Sequence, residues 1–182
     1  MARPRRVAVT GGIGAGKSEA LRAFARHGAA VISSDQIVHE LIEHDEDVRA
    51  ALLGRLGTTD RAAIASIVFA DRVELDWLER LLHPRVRERS ERWFAEQAAP
   101  LAVSEIPLLY ETGGEARFDA VIVITAPREV RESRALVPLA ARSDRLIAEE
   151  DKVRRADFAY VNDGSLEELD AWVADVVAKL TG

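Results

Sequence analysis

The sequence predicts an α/β protein with three layers, a parallel sheet of about five strands carrying helices on both faces. Three observations lead there. Short β-branched or apolar runs alternate with longer amphipathic stretches from end to end, the order that lays successive strands parallel. The run FDAVIVITA is apolar at nearly every position, as a strand covered on both sides must be. No repeat, low-complexity tract or linker breaks the alternation, and 182 residues suit one compact domain.

Each element has its own justification. RRVAVT (5–10) is a β-branched run that feeds a glycine cluster, a buried strand entering a turn. The helix over 16–28 places Leu21, Phe24 and Ala25 on one face and stops at Gly28. AAVISSD (29–35) is a second strand ending at Asp35. Residues 36–57 are helical, in one or two pieces, with Ile37 and Leu41, then Val48 and Leu52, as the apolar repeats. The stretch 60–99 is rich in helix and carries Trp77, Leu78, Leu81, Leu82, Trp93 and Phe94. Pro84 has no N–H to donate, so a helix is expected to end or kink just before it. LAVSEIPLLYE (101–111) reads as the third strand, terminated by Pro107, and FDAVIVITA (118–126) as the fourth. Residues 127–156 are polar and helical, DFAYVND (157–163) is the fifth strand, and 165–180 form a closing amphipathic helix with Ser165 as N-cap and Glu168 at its third position.

Composition removes several classes of function. A chain of this length buries roughly 70% of its unfolded surface and needs no covalent or metal staple. The absence of cysteine excludes a thiolate nucleophile and a cysteine-ligated zinc site. A net charge of −6 argues against general nucleic-acid binding, which relies on excess Lys and Arg. The locally basic stretches HPRVRERSERW and DKVRRAD still suit a small polyanionic ligand. MARPRRVAVTGG has basic residues but no long apolar run, and no segment approaches the roughly 18 apolar residues of a membrane span. A soluble, cytoplasmic protein is expected, with no membrane partner.

The chemistry starts at Gly11–Ser18, GGIGAGKS, which matches G-x-x-x-x-G-K-[ST] directly after a strand and directly before a helix. In that context the glycines let backbone N–H groups turn toward phosphate oxygens at a helix N-terminus. Gly12, Gly14, Ala15 and Gly16 would line the cradle, Lys17 would reach the β- and γ-phosphates, and Ser18 would ligate Mg²⁺. A dinucleotide fingerprint fails, because Glu19 occupies the third glycine position. Glu19 is favoured at a helix N-terminus and can rotate outward, so it is compatible with phosphate binding.

The rest of the chain distinguishes a kinase from a switch. A GTPase needs D-x-x-G after its metal-binding strand and N-K-x-D later; SEIPLLYE and VNDGS stand in those places. A small-molecule kinase needs an acid near the acceptor hydroxyl, an acceptor pocket, and arginines that quench charge on the transferring group. Asp35 ends the second strand, at the edge where α/β sheets hold ligands, and is equally suited to N-cap the next helix. His39 lies one turn on, and His83 precedes Pro84. Arg134, Arg142 and Arg145 fall where a lid would be.

In order along the chain, VTGGIGAGKS (9–18), VISSDQIVHEL (31–41), LLHPRV (81–86), EIPLLYE (105–111) and KVRRADFAYVNDGS (152–165) resemble the dephospho-coenzyme A kinase family. The resemblance implies a P-loop NTPase-type core over about 5–35 and 100–182, a helical substrate subdomain over about 36–99 and a lid over about 128–150, within a single kinase domain. It implies transfer of the ATP γ-phosphoryl group to the ribose 3′-hydroxyl of dephospho-CoA, with ATP and Mg²⁺; the sequence leaves the oligomeric state open, with a monomer as the default expectation. By position, Asp35 is similar to the acid that takes the hydroxyl proton. Residues 12 and 14–19, with Arg142 and Asn162, are similar to the ATP site, and Ser18 to its metal ligand. His39, His83, Pro84, Leu108 and Glu111 are similar to parts of the acceptor pocket. The chain departs from the family at Ser33-Ser34-Asp35, where D-A-D is usual, and at Glu105, where aspartate is common. In a shortened lid, Arg131 replaces a glutamine, Arg134 fits the expected arginine, and Leu146 takes a later glutamine position. The alternatives are a P-loop kinase for another small hydroxylated metabolite and a nucleotide-binding regulator without turnover.

Overall fold

The computed structural model describes residues 3–134 and 147–182. Five strands, β1 (Arg5–Thr10), β2 (Ala30–Ser33), β3 (Leu101–Glu105), β4 (Ala120–Thr125) and β5 (Phe158–Val161), form one parallel sheet in the order β2-β3-β1-β4-β5. The expected fold class, α/β around a five-stranded parallel sheet, is the one found. β1 is central because it is apolar on both sides: Val7, Ala8, Val9 and Thr10 are all fully buried. Its register pairs Val7 with Val103 on one side and with Ala120 on the other.

The two faces of the sheet carry separate cores. Val7, Val9, Val103, Ile122 and Ile124 pack with Leu21 and Phe24 of α1 (Lys17–Arg26) and with Leu169, Val173 and Val176 of α8 (Leu166–Thr181). Ala8, Val121 and Val123, pointing the opposite way by strand alternation, pack with Leu109 and Tyr110. The α8 N-terminus has the expected capping box: Ser165 Oγ accepts from the Glu168 N–H, and the Glu168 carboxylate accepts from the Ser165 N–H at 2.7 Å.

The chain divides into two compact units, Met1–Ser33 with Glu96–Gly182, and Ser34–Ala95. The second is helical: α2 (Ser34–His44), α3 (Glu46–Leu56), α4 (Arg61–Ala70) and most of α5 (Arg72–Glu96). Asp45 and Asp60 cap α3 and α4 through the N–H groups of Val48 and Ala63. Within the first unit α6 (Arg128–Arg134) follows β4 and α7 (Glu149–Arg155) precedes β5.

Three local expectations are corrected. Of the two outcomes expected at Pro84, an end or a kink, the end does not occur; α5 runs through it for 25 residues. Interior proline costs about 3 kcal/mol, but Leu78 and Leu82 before it and Ser90 and Phe94 after it are buried along the same helix, and a break would separate them. The third strand stops at Glu105; residues 106–111 turn away, because Leu109 and Tyr110 are needed in the core beneath the sheet. The second strand stops at Ser33, so Asp35 sits in the first turn of α2 rather than at a strand end.

Candidate active site

β1 delivers the chain into Gly11–Gly16, and Gly16 starts α1 with φ 94°, a left-handed conformation that disfavours any side chain. A Cβ there would also collide with the Asn162 amide nitrogen. The loop is therefore shaped by glycine on one side and braced on the other. Asn162, at the end of β5 and 4% exposed, donates its side-chain amide to the Ala15 carbonyl at 2.9 Å and its backbone N–H to the Thr125 carbonyl at 2.7 Å. Asn162, expected as a nucleotide contact, is thus first a support of the loop.

Lys17 is buried and donates to the Gly12 carbonyl at 2.9 Å, so its ammonium folds back over the loop that its backbone leaves. Ser18 opens α1 with its hydroxyl 3.4 Å from a carboxylate oxygen of Glu105, the last residue of β3. A hydroxyl and a buried carboxylate facing each other across the start of α1 are an oxygen pair of the kind a hard divalent cation takes. The sequence marks Glu105 only as standing where an aspartate is common; its nearness to Ser18, 87 residues away, is the structure's contribution. Glu19 turns outward, onto Arg22 at 2.7 Å and Arg26 at 3.5 Å. Arg26 and His27 continue the chain of contacts to Asp170 of α8 and hold its carboxyl below the usual aspartate range. The acid beside the cradle is drawn away from phosphate.

Arg131, marked in the sequence only as standing in a glutamine position of the lid, and Glu149, which the sequence does not mark, crowd the Gly12 end of the loop. Arg131 of α6 and Glu149 of α7 form an ion pair at 2.9 Å, and Thr125 donates its hydroxyl to the other Glu149 oxygen at 2.6 Å. A Cβ on Gly12 would collide with Glu149 and lie 2.7 Å from an Arg131 nitrogen. The pair has no local sequence signal: its members stand in different helices.

The remaining expected site residues fall in different places. Leu108 and Glu111 belong to the turn after β3. The Leu108 carbonyl accepts from the Thr112 hydroxyl at 2.8 Å. Glu111 is held by Lys152 of α7 at 2.6 Å, with both side chains almost fully buried, and accepts from the Ile147 N–H at 3.2 Å. Beside them burial pushes the Tyr110 phenol upward, while Arg155, 4.3 Å above its ring, works in the opposite direction. In the helical unit Asp35 is exposed. His39 accepts from Arg61 at Nδ1 (3.0 Å) and faces Glu43 with Nε2 (3.2 Å), an arrangement that suits the Nε2–H tautomer. His83 and Pro84 share a one-sided surface cavity with Arg87, Glu88 and Glu91 on successive turns of α5. Arg142, Arg145 and Leu146 lie outside the described residues.

The geometry is that of a phosphate cradle with a buried lysine, a metal-compatible oxygen pair and a basic side chain at its open end. Comparison with known proteins decides which cradle it is. The dephospho-CoA kinase family model matches residues 5–168. The chain belongs to the dephospho-CoA kinase family. A dephospho-CoA kinase of Rhodopseudomonas palustris (strain BisB18) is 35% identical over 188 residues, covering 96% of this chain and 94% of the relative. A crystal structure from Thermus thermophilus superposes with a TM-score of 0.83 at 34% identity, covering 100% of each chain. The dephospho-CoA kinase of Campylobacter jejuni gives a TM-score of 0.67 at 25% identity over 99% of each. Membership makes the chain an ATP-dependent phosphotransferase. Among the described residues no helix is long and apolar enough to cross a membrane.

Proposed function

We propose that this chain transfers the γ-phosphoryl group of ATP to the ribose 3′-hydroxyl of dephospho-CoA, forming coenzyme A and ADP. The observation that carries this reading is the family match across residues 5–168 of a chain whose phosphate loop is fully built, with Lys17 buried over Gly12 and Ser18 facing Glu105. The acceptor oxygen bonds the γ-phosphorus as the bond to the β–γ bridging oxygen breaks; the electron pair leaves on ADP, and the hydroxyl proton passes to a carboxylate. Little covalent work falls to the protein in such a transfer, so positioning and charge stabilisation dominate.

The loop amides of residues 12–18 hold the phosphates and Lys17 neutralises their terminal end. Ser18 and Glu105 would hold Mg²⁺, which would supply positive charge to offset that of the phosphates. Asp35 takes the acceptor proton; this assignment rests on its place in VISSDQIVHEL. Asn162 fixes the loop on which the nucleotide lies, and Arg142 belongs with the ATP site by its position in the lid. His39, His83, Pro84, Leu108 and Glu111 are assigned to acceptor binding by their places in VISSDQIVHEL, LLHPRV and EIPLLYE. Residues 128–150 serve as lid. The substrates are water-soluble metabolites, and the protein acts on them in the cytoplasm as a monomer.

A coupled ADP-release assay with ATP, Mg²⁺ and dephospho-CoA tests the reading, run beside Asp35→Asn and a control without acceptor. Turnover that requires dephospho-CoA and falls about 10²- to 10⁴-fold in Asp35→Asn is expected. Nucleotide binding without acceptor-dependent turnover sinks it.

A further inference from the structure

The Gly12 end of the loop holds more charge than phosphate binding by the loop itself requires. Lys17, which in this motif serves the β- and γ-phosphates, places its ammonium 2.9 Å from the Gly12 carbonyl, so Gly12 marks where the terminal phosphate arrives. At that same point stand Arg131 and Glu149. The Arg131 backbone packs on the loop, with its carbonyl 2.5 Å from where a Cβ on Gly14 would be, and its guanidinium reaches Gly12. Its Nε is buried with no hydrogen-bond partner. The Glu149 oxygen facing it, at 2.9 Å, has no aligned donor; the contact is coulombic rather than a directed hydrogen bond. The other Glu149 oxygen is fixed by Thr125.

A carboxylate pressed against the terminal-phosphate end of an anion cradle opposes ATP unless a cation answers it. Arg131 does so here, through a pairing that leaves part of its donor fork unused. Of the three arginines of α6, Arg128 is taken up by Glu132 at the surface, and Arg134 donates to the Asn162 carbonyl at 3.3 Å, toward the Gly16 end. Only Arg131 among them is aimed at Gly12.

We propose that Arg131 neutralises the charge on the transferring γ-phosphoryl group, and that Glu149 is its resting partner, giving Arg131 up when ATP enters the loop. A planar guanidinium can trade one carboxylate for one phosphoryl oxygen pair without leaving its place, because both accept the same fork. Glu149 then stands in for the phosphoryl group in the resting enzyme. Thr125 keeps it from following the arginine. The proposal rests on the ATP-kinase reading above and extends it to a residue at a position where the family usually has glutamine.

The test compares ADP with a non-hydrolysable ATP analogue by calorimetry in Mg²⁺, for the wild type, Arg131→Gln, Arg131→Lys and Glu149→Gln, beside steady-state turnover with dephospho-CoA. Arg131→Gln is expected to lose analogue affinity about tenfold while ADP binding stays within about twofold, and kcat is expected to fall by at least about 10²-fold. Arg131→Lys should recover part of the preference for analogue over ADP, and its melting curve controls for folding. Glu149→Gln should tighten the analogue several-fold and leave ADP unchanged. An Arg131→Gln protein that binds both nucleotides equally weakly, or turns over at the wild-type rate, overturns the proposal, as does weaker analogue binding in Glu149→Gln. If the wild type binds both nucleotides but transfers nothing to dephospho-CoA, the acceptor assignment fails, while the analogue-to-ADP ratio still decides the role of Arg131.

Discussion

The two ends of the phosphate loop are held by opposite means. At the Gly16 end the brace is neutral and almost fully buried: the Asn162 amide on the Ala15 carbonyl at 2.9 Å, with its backbone N–H on Thr125 at 2.7 Å. At the Gly12 end it is charged and partly solvated: Arg131 and Glu149, whose side chains are 20% and 24% exposed. A buried neutral hydrogen bond is costly to break and gains nothing by rearranging, so it fixes shape. A part-exposed ion pair costs little to exchange for another, because solvent compensates the separated charges. Permanence at one end and exchangeability at the other suit a loop that must keep one conformation while its ligand changes charge.

Breaking the permanent end should have the largest effect. Gly16→Val forces a branched side chain into left-handed backbone and against Asn162; kcat/KM should fall by about 10²-fold or more, with ADP and ATP analogue affinity lost together. Steady-state kinetics and calorimetry on the same preparation check it. Asn162→Ala is milder. It leaves the Ala15 carbonyl without its partner, a loss of about 1–3 kcal/mol, and weakens both nucleotides in parallel, unlike the selective loss expected for Arg131→Gln. A selective loss in Asn162→Ala would erase the contrast between the two ends. Ser165→Ala removes the capping box of α8 at a cost of about 1 kcal/mol, or roughly 2–4 °C in Tm, with nucleotide affinities unchanged. It separates general destabilisation from loss of the brace.

The smallest effect concerns a surface charge pair, Arg3 with Asp119, two hydrogen bonds of 2.7 Å each. The Arg3 guanidinium holds the Asp119 carboxyl down at about 2, below its ordinary 3.8. The unfolded chain therefore takes up this proton first as acid is added, so the contribution is complete above about pH 4 and is lost as pH falls toward 2. Arg3→Ala should shallow that acid limb by lowering stability above about pH 4 while leaving it unaltered near pH 2 and below, as followed by circular dichroism. A loss of the same size at every pH would show that Arg3 acts through packing.

What was legible in the sequence was what is local. Gly11–Ser18 is contiguous and carries its own geometry, so the cradle and the helix that follows it could be read directly. The same holds for Ser165 and Glu168, three residues apart, and for Glu19, whose partner Arg22 lies one turn away. FDAVIVITA, apolar at nearly every position, marked a strand covered on both faces and so the class of the sheet. The braces of the loop were not legible, because Asn162 meets Ala15 across 147 residues and Ser18 meets Glu105 across 87. Arg131 and Glu149 carry no spacing that links them. Pro84 misled for a different reason: a local rule about one missing N–H was outweighed by burial along 25 residues.

The sheet order has a consequence for how the protein is made. β1 is made before the other four strands, yet it is the middle one, and its neighbours β3 and β4 follow β1 by more than 90 residues. At about 5–20 residues per second, the central strand and the loop behind it wait several seconds or more before β3 exists, and longer before Asn162 arrives. The helical segment Ser34–Ala95, whose contacts are local, can order itself meanwhile. The nucleotide cradle is thus encoded before the partners that complete it, and it is finished only when Asn162 reaches the Ala15 carbonyl.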